Sequence, residues 1–151
     1  DPKTNTLEYA VANNPLYYIR KKGAEFLLST GEKTEPSVSD GEWNLYAVKA
    51  NKQPIGAYIK QEKFTNHTFQ MEKGDTIYIF SDGYADQFGG PRGKKFMYKN
   101  FRELLFDLSK YPMKNQMSVL DRKIEEWKAY KSMAGGTYEQ VDDILVMGVK
   151  F

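Results

Sequence analysis

Strand-like alternation and helix-like periodicity occupy separate stretches of this chain, and that separation restricts the fold more than any other feature. Segments rich in β-branched and aromatic residues cover Leu7–Asn13, Leu16–Arg20, Ala24–Ser29, Trp43–Val48, Phe64–Met71 and Thr76–Phe80. Beyond them the apolar spacing changes to the helical period. Phe101, Leu104, Leu105 and Leu108 share one helical face, and Met117, Leu120, Ile124 and Trp127 share another, with Tyr111-Pro112 between the two helices. Gly135-Gly136 ends the helical region, and Ile144–Val149 reads as a closing strand. Strands, then a helix pair, then a last strand predict an α+β domain and not alternating β-α units. Asn14-Pro15, Lys22-Gly23 and Lys73-Gly74-Asp75 mark turns. The polar run Thr30–Gly41 and the Gly-rich basic run Gly89–Lys95 read as loops.

The chain has 151 residues, enough for one domain with its own core and hardly for two. Its hydrophobic share of 40% and aromatic share of 15% suit a folded, strand-rich domain and argue against a disordered one. With a net charge of +2 and both signs interspersed, the whole-chain balance predicts neither nucleic-acid nor membrane binding. There is no cysteine, which excludes a disulfide scaffold and thiolate metal sites and fits a reducing compartment. No apolar run approaches the roughly 18 residues of a membrane span. A strand pattern begins almost at once, at Leu7, so the chain is expected to be a piece of a longer domain.

Four carboxylates stand where strands end. Asp82 follows the strand Thr76–Phe80 and precedes Gly83, which lets the chain turn sharply beside it; Asp86 lies four residues on. Asp142 and Asp143 precede the closing strand. If the two strands are sheet neighbours, their ends form an all-oxygen site suited to Mg²⁺ or Mn²⁺. On pattern alone, Asp-Gly after a strand and Asp-Asp before one are also ordinary turns. His67, the single histidine, sits inside a strand pattern, where it is expected to be a surface or core residue and not a base. Arg92, Lys94 and Lys95 could meet a substrate phosphate by charge, against the simpler reading of a solvated loop.

The segments Lys73–Gly90 (KGDTIYIFSDGYADQFGG) and Gln140–Phe151 (QVDDILVMGVKF) resemble the two late motifs of the PPM, or type 2C, protein phosphatases, and more closely their SpoIIE-like bacterial branch. Tyr9 to Leu16 (YAVANNPL) resembles that branch's AGANNPL stretch, Gln53 to Gly56 its PIG step, and Gly93 to Phe96 the tail of its Gly-rich loop. Trp127 stands where a tryptophan often precedes the final motif. The similarity runs along nearly the whole chain in order.

The resemblance implies an α-β-β-α sandwich with antiparallel sheets, of which residues 1–151 would be the C-terminal part and so an incomplete domain. It implies hydrolysis of a phosphoserine or phosphothreonine protein by a hydroxide shared between two divalent ions, Mn²⁺ or Mg²⁺. Residue by residue, Asp82 matches the metal ligand of the SDG motif and Asp142 the first Asp of the final pair. Asp86 matches a position used for an additional, weaker metal, and Asp143 supports its neighbour without binding directly. The branch implies a bacterial, cytoplasmic setting in partner-switching signalling, with a phosphorylated STAS-type anti-sigma antagonist as the partner.

Two departures stand out. The family's early metal-binding motifs do not occur here, so these 151 residues are expected to be inactive by themselves. The alternative is a non-catalytic, phosphatase-like interaction module. Val11 also replaces a glycine usual at that position, which puts the local turn in question. Strands meant to pair with upstream partners are expected either to self-associate, a symmetric dimer being the simplest form, or to leave part of a sheet exposed.

Overall fold

A computed structural model describes every residue except 2, 24, 25, 27, 29, 30, 32, 33 and 132–134. The chain divides into two units, Asp1–Ile79 with Gly148–Phe151, and Phe80–Met147.

The first unit is built of strands. β1 (Thr6–Tyr9) pairs antiparallel with β5 (His67–Gln70), Leu7 opposite Phe69. A five-stranded sheet runs in the order β3-β4-β2-β6-β9, from β3 (Val38–Ser39), β4 (Trp43–Val48), β2 (Leu16–Lys21), β6 (Thr76–Phe80) and β9 (Val146–Lys150). β2 is central, with Tyr18 opposite Tyr46 on β4 and Ile77 on β6. Its residues Leu16 to Arg20 are all buried, which is why the run LYYI shows no alternation. On one face Phe26 stacks between Tyr46 and Phe69, at centroid distances of 4.4 and 5.2 Å. Leu16, Tyr18, Val48 and Met71 complete that core. The strand expected over Ala24–Ser29 falls largely outside the described residues.

The β1 and β5 strands are shorter than Leu7–Asn13 and Phe64–Met71, and the loop expected over Thr30–Gly41 contains the short strand β3, held by Ser37 N–H donating to Leu45 O at 2.7 Å. Val11 does not carry the local turn. The left-handed position is Asn13, at φ 61°, a conformation asparagine tolerates, and Val11 O simply accepts from Asn51 N–H.

The second unit holds the helices. A short α1 (Gly83–Asp86) leads into the antiparallel pair β7 (Phe88–Gly89) and β8 (Lys94–Lys95), followed by α2 (Tyr98–Leu108) and α3 (Met113–Lys128). Its core is aromatic: Tyr84 stacks on Phe101 at 4.5 Å, and Phe96 meets Trp127 edge-on at 5.2 Å. The α3 face differs from the one expected, because Met117 is exposed whereas Gln116 and Ile124 are buried. Gln116 occupies that inward position by donating its amide to Tyr111 O at 3.0 Å.

Burial raises the phenols of Tyr18 and Tyr84 above their ordinary value, and that of Tyr9 to about 12. A raised folded-state pKa contributes stability that is complete below the unfolded value near 10 and declines as pH rises past it, since the unfolded chain then releases protons that the folded chain keeps. Urea midpoints measured from pH 8 to 11.5 are therefore expected to fall above about pH 10. A flat profile over that range would mean that these phenols are not sequestered.

Candidate metal and phosphate site

The acidic segments of the second unit lie side by side because of backbone packing. Ser81 N–H donates to Leu145 O at 3.0 Å, Leu145 N–H returns a bond to Ser81 Oγ at 2.9 Å, and Ser81 Oγ donates to Asp143 O at 2.8 Å. Gly83 fits against the same segment so tightly that a Cβ there would stand 2.4 Å from Asp143 O. The residues flanking this contact are Asp82, at the position before α1 with no side-chain bond to the helix, and Asp142. β6 and β9, the strands these aspartates adjoin, are sheet neighbours, as the sequence reading required.

The four carboxylates are placed differently. Asp82, Asp142 and Asp143 are exposed, and Asp142 Oδ1 accepts the Asp143 N–H at 2.7 Å. Asp86 is half-buried at the end of α1, and its Oδ2 lies 2.9 Å from Lys95 Nζ. Tyr98 lies where its hydroxyl proton is held by burial and by the charges of Asp82 and Asp86. Ahead of it, Met97 takes φ 77°, ψ 142°, a backbone state rarely used by residues other than glycine. Its N–H donates to Ala85 O at 2.7 Å, tying the start of α2 to α1.

The basic segment is not a loop but a hairpin. Gly93 N–H donates to Gly90 O at 3.1 Å, and Gly89 and Gly90 lie against Trp127, where a Cβ on Gly90 would stand 2.3 Å from the indole ring. Gly90 N–H donates to Trp127 O at 2.8 Å, and the indole N–H donates to Gln87 O at 3.1 Å. Arg92 and Lys94 remain exposed, whereas Lys95 is committed to Asp86. His67 belongs to the first unit and is buried there, with Nδ1 lacking a hydrogen-bond partner.

Sequence reasoning missed Ser81 as the bridging hydroxyl, Tyr98 as the phenol beside two carboxylates and Lys95 as the partner of Asp86. Ser81 left a signal, standing next to Asp82-Gly83 in a motif already singled out, and Lys95 was named only as a possible phosphate contact. Ser81, Asp82, Asp142 and Asp143 offer carboxylate and hydroxyl oxygens, which fits a hard divalent cation. Among the described residues no three Asp, Glu or His side chains converge on one point. The residues present therefore fit part of such a site.

The family model described as Stage II sporulation protein E (SpoIIE) matches residues 1–151. Among solved structures, the SiaA-PP2C domain of Pseudomonas aeruginosa superimposes with a TM-score of 0.69 at 22% identity, over 100% of this chain and 48% of that one. At that identity the likeness concerns the fold, a mixed α+β arrangement with antiparallel sheets. This chain thus spans about half the length of the solved domain. No curated protein matches the sequence.

Proposed function

Since this chain belongs to the SpoIIE family, we propose that it forms part of the metal centre of a phosphoprotein phosphatase, with Asp82 and Asp142 as its contribution to the ligand set. The observation that carries this reading is the fit of Gly83 against Asp143 O, which holds the two aspartate-bearing segments together through backbone atoms. Ser81 Oγ supports the arrangement by bridging Asp143 O and Leu145 N–H. When bound, a divalent cation such as Mn²⁺ or Mg²⁺ lowers the pKa of a water and offsets negative charge on phosphoryl oxygens. Asp143 orders Asp142 through its N–H, and Lys95 neutralises Asp86. The exposed Arg92 and Lys94 provide positive charge for the phosphate of a phosphoserine or phosphothreonine protein. A STAS-type anti-sigma antagonist in bacterial cytoplasmic signalling is the proposed substrate.

One observation favours the alternative of a non-catalytic interaction module: among the described residues no three acidic or histidine side chains converge. Turnover separates the two readings. These 151 residues are expected to show little Mn²⁺-dependent hydrolysis of a phosphopeptide, because groups that act as a unit fail together. A chain extended with upstream sequence that supplies further carboxylates is expected to show it, and to lose it on Asp82→Asn with the fold intact. An extended chain that stays inactive supports the interaction module. Activity unchanged by Asp82→Asn removes Asp82 from the site.

A further inference from the structure

The first unit carries a loop to which the proposed metal site assigns no residue. Gln53 is 5% exposed, and both ends of its amide are spent on one residue: Nε2 donates to Glu62 O at 2.7 Å, and Oε1 accepts Glu62 N–H at 2.9 Å. This clamp closes the segment between them into a loop. Within it Ile55 is 85% exposed and Ile59 100%, while Tyr58, 49% exposed, lines a shallow pocket with Lys52 and Lys60. Single exposed apolar residues are ordinary on a protein surface, but three large ones on one clamped loop are not. Gly56, at φ 141° with no atom within 4 Å of where a Cβ would be, lets the loop turn in open space.

The charge along the loop has mostly one sign. Between Asn51 and Lys63 the chain carries Lys52, Lys60 and Lys63 against the single acid Glu62, and all three lysines are exposed. None of the three enters an ion pair among the described residues. The near-neutral balance of the whole chain conceals this local excess. Exposed apolar side chains flanked in sequence by exposed lysines suit a surface that is anionic outside and apolar beneath. An anionic lipid bilayer offers both at every point, whereas a protein would need a matching apolar pocket with an acidic rim.

We propose that the Gln53–Glu62 loop is a peripheral membrane contact, inserting Ile55, Tyr58 and Ile59 at the level of the headgroups while Lys52, Lys60 and Lys63 meet anionic lipid. The proposal is independent of the metal site. Co-sedimentation of the chain with phosphatidylcholine vesicles, with and without phosphatidylglycerol, tests it. Binding is expected only with phosphatidylglycerol and is expected to weaken as salt rises. The double variants Ile55→Ser/Ile59→Ser and Lys52→Glu/Lys60→Glu are each expected to lower the apparent affinity at least about tenfold. Both should leave the urea midpoint unchanged, because the altered side chains are exposed. The proposal is overturned by absence of vesicle binding, by binding that the apolar double variant leaves intact, or by loop-dependent self-association or protein capture in its place.

Discussion

Asp75→Asn is expected to destabilise the protein by about 3–5 kcal/mol, because it leaves a buried guanidinium without its counter-charge. Arg20 and Asp75 have side chains only 8% and 2% exposed, and Arg20 Nη2 approaches Asp75 Oδ2 at 2.6 Å. Arg20 Nε adds contacts of 3.2 Å to both carboxylate oxygens, Tyr18 Oη donates to Oδ2, and Glu72 N–H donates to the same oxygen at 2.7 Å. The remaining reach of the guanidinium goes to Gln70 O at 2.6 Å. One carboxylate therefore joins β2, β6 and the turn before β6, and the desolvation of both charges is offset only while every partner is present. An amide cannot replace the charge, and one of its ends would present donors to the Arg20 donors. Arg20 also contacts Glu72 at 3.6 Å, but Glu72 is 58% exposed, so Glu72→Gln is expected to cost less than about 1 kcal/mol. Urea unfolding of the two variants side by side checks the contrast. Comparable, small losses would show that the network is loosely held or open to water.

This network also shows what the sequence could not convey. Lys73-Gly74-Asp75 was legible as a turn, because glycine supplies the positive φ of 99° that it needs. Nothing local marked Asp75 as the centre of an ion pair, since Arg20 lies 55 residues away. Period-2 and period-3.6 patterns located the long strands and both main helices, because burial of one face imposes them. They could not resolve two-residue strands such as β7 and β8, whose order comes from Trp127 packed on Gly89 and Gly90. They also placed Met117 on the buried face of α3, where amide bonding by Gln116 overrides apolar spacing. At the site, residue type and position named the four aspartates, but their different settings depend on tertiary partners. Asp86 is drawn to Lys95, and Asp142 is turned toward the backbone of Asp143.

Gly83→Ala is expected to damage stability and cation binding together. Two effects oppose each other in this substitution. Gly83 opens α1, and alanine in a helix interior is favoured over glycine by at most about 1 kcal/mol, less at a first position. Against that, the new methyl would stand 2.4 Å from Asp143 O and 2.9 Å from Asp143 C, both backbone atoms that cannot rotate away. Relieving such contacts requires the segment from Asp142 to Leu145 to shift, straining the bonds of Ser81 to Asp143 O and Leu145 N–H. Overpacking of this kind costs about 1–3 kcal/mol, which outweighs the helical gain. Displacement of the two segments would also change the spacing of Asp82 and Asp142, so Mn²⁺ affinity, read from the electron paramagnetic resonance signal of the free ion, is expected to fall with stability. Ser81→Ala removes the bridging hydroxyl without adding bulk and is expected to produce a smaller loss in both measurements. Wild-type stability and affinity in Gly83→Ala would mean that the two aspartate segments are not held by this contact and do not share a cation through it.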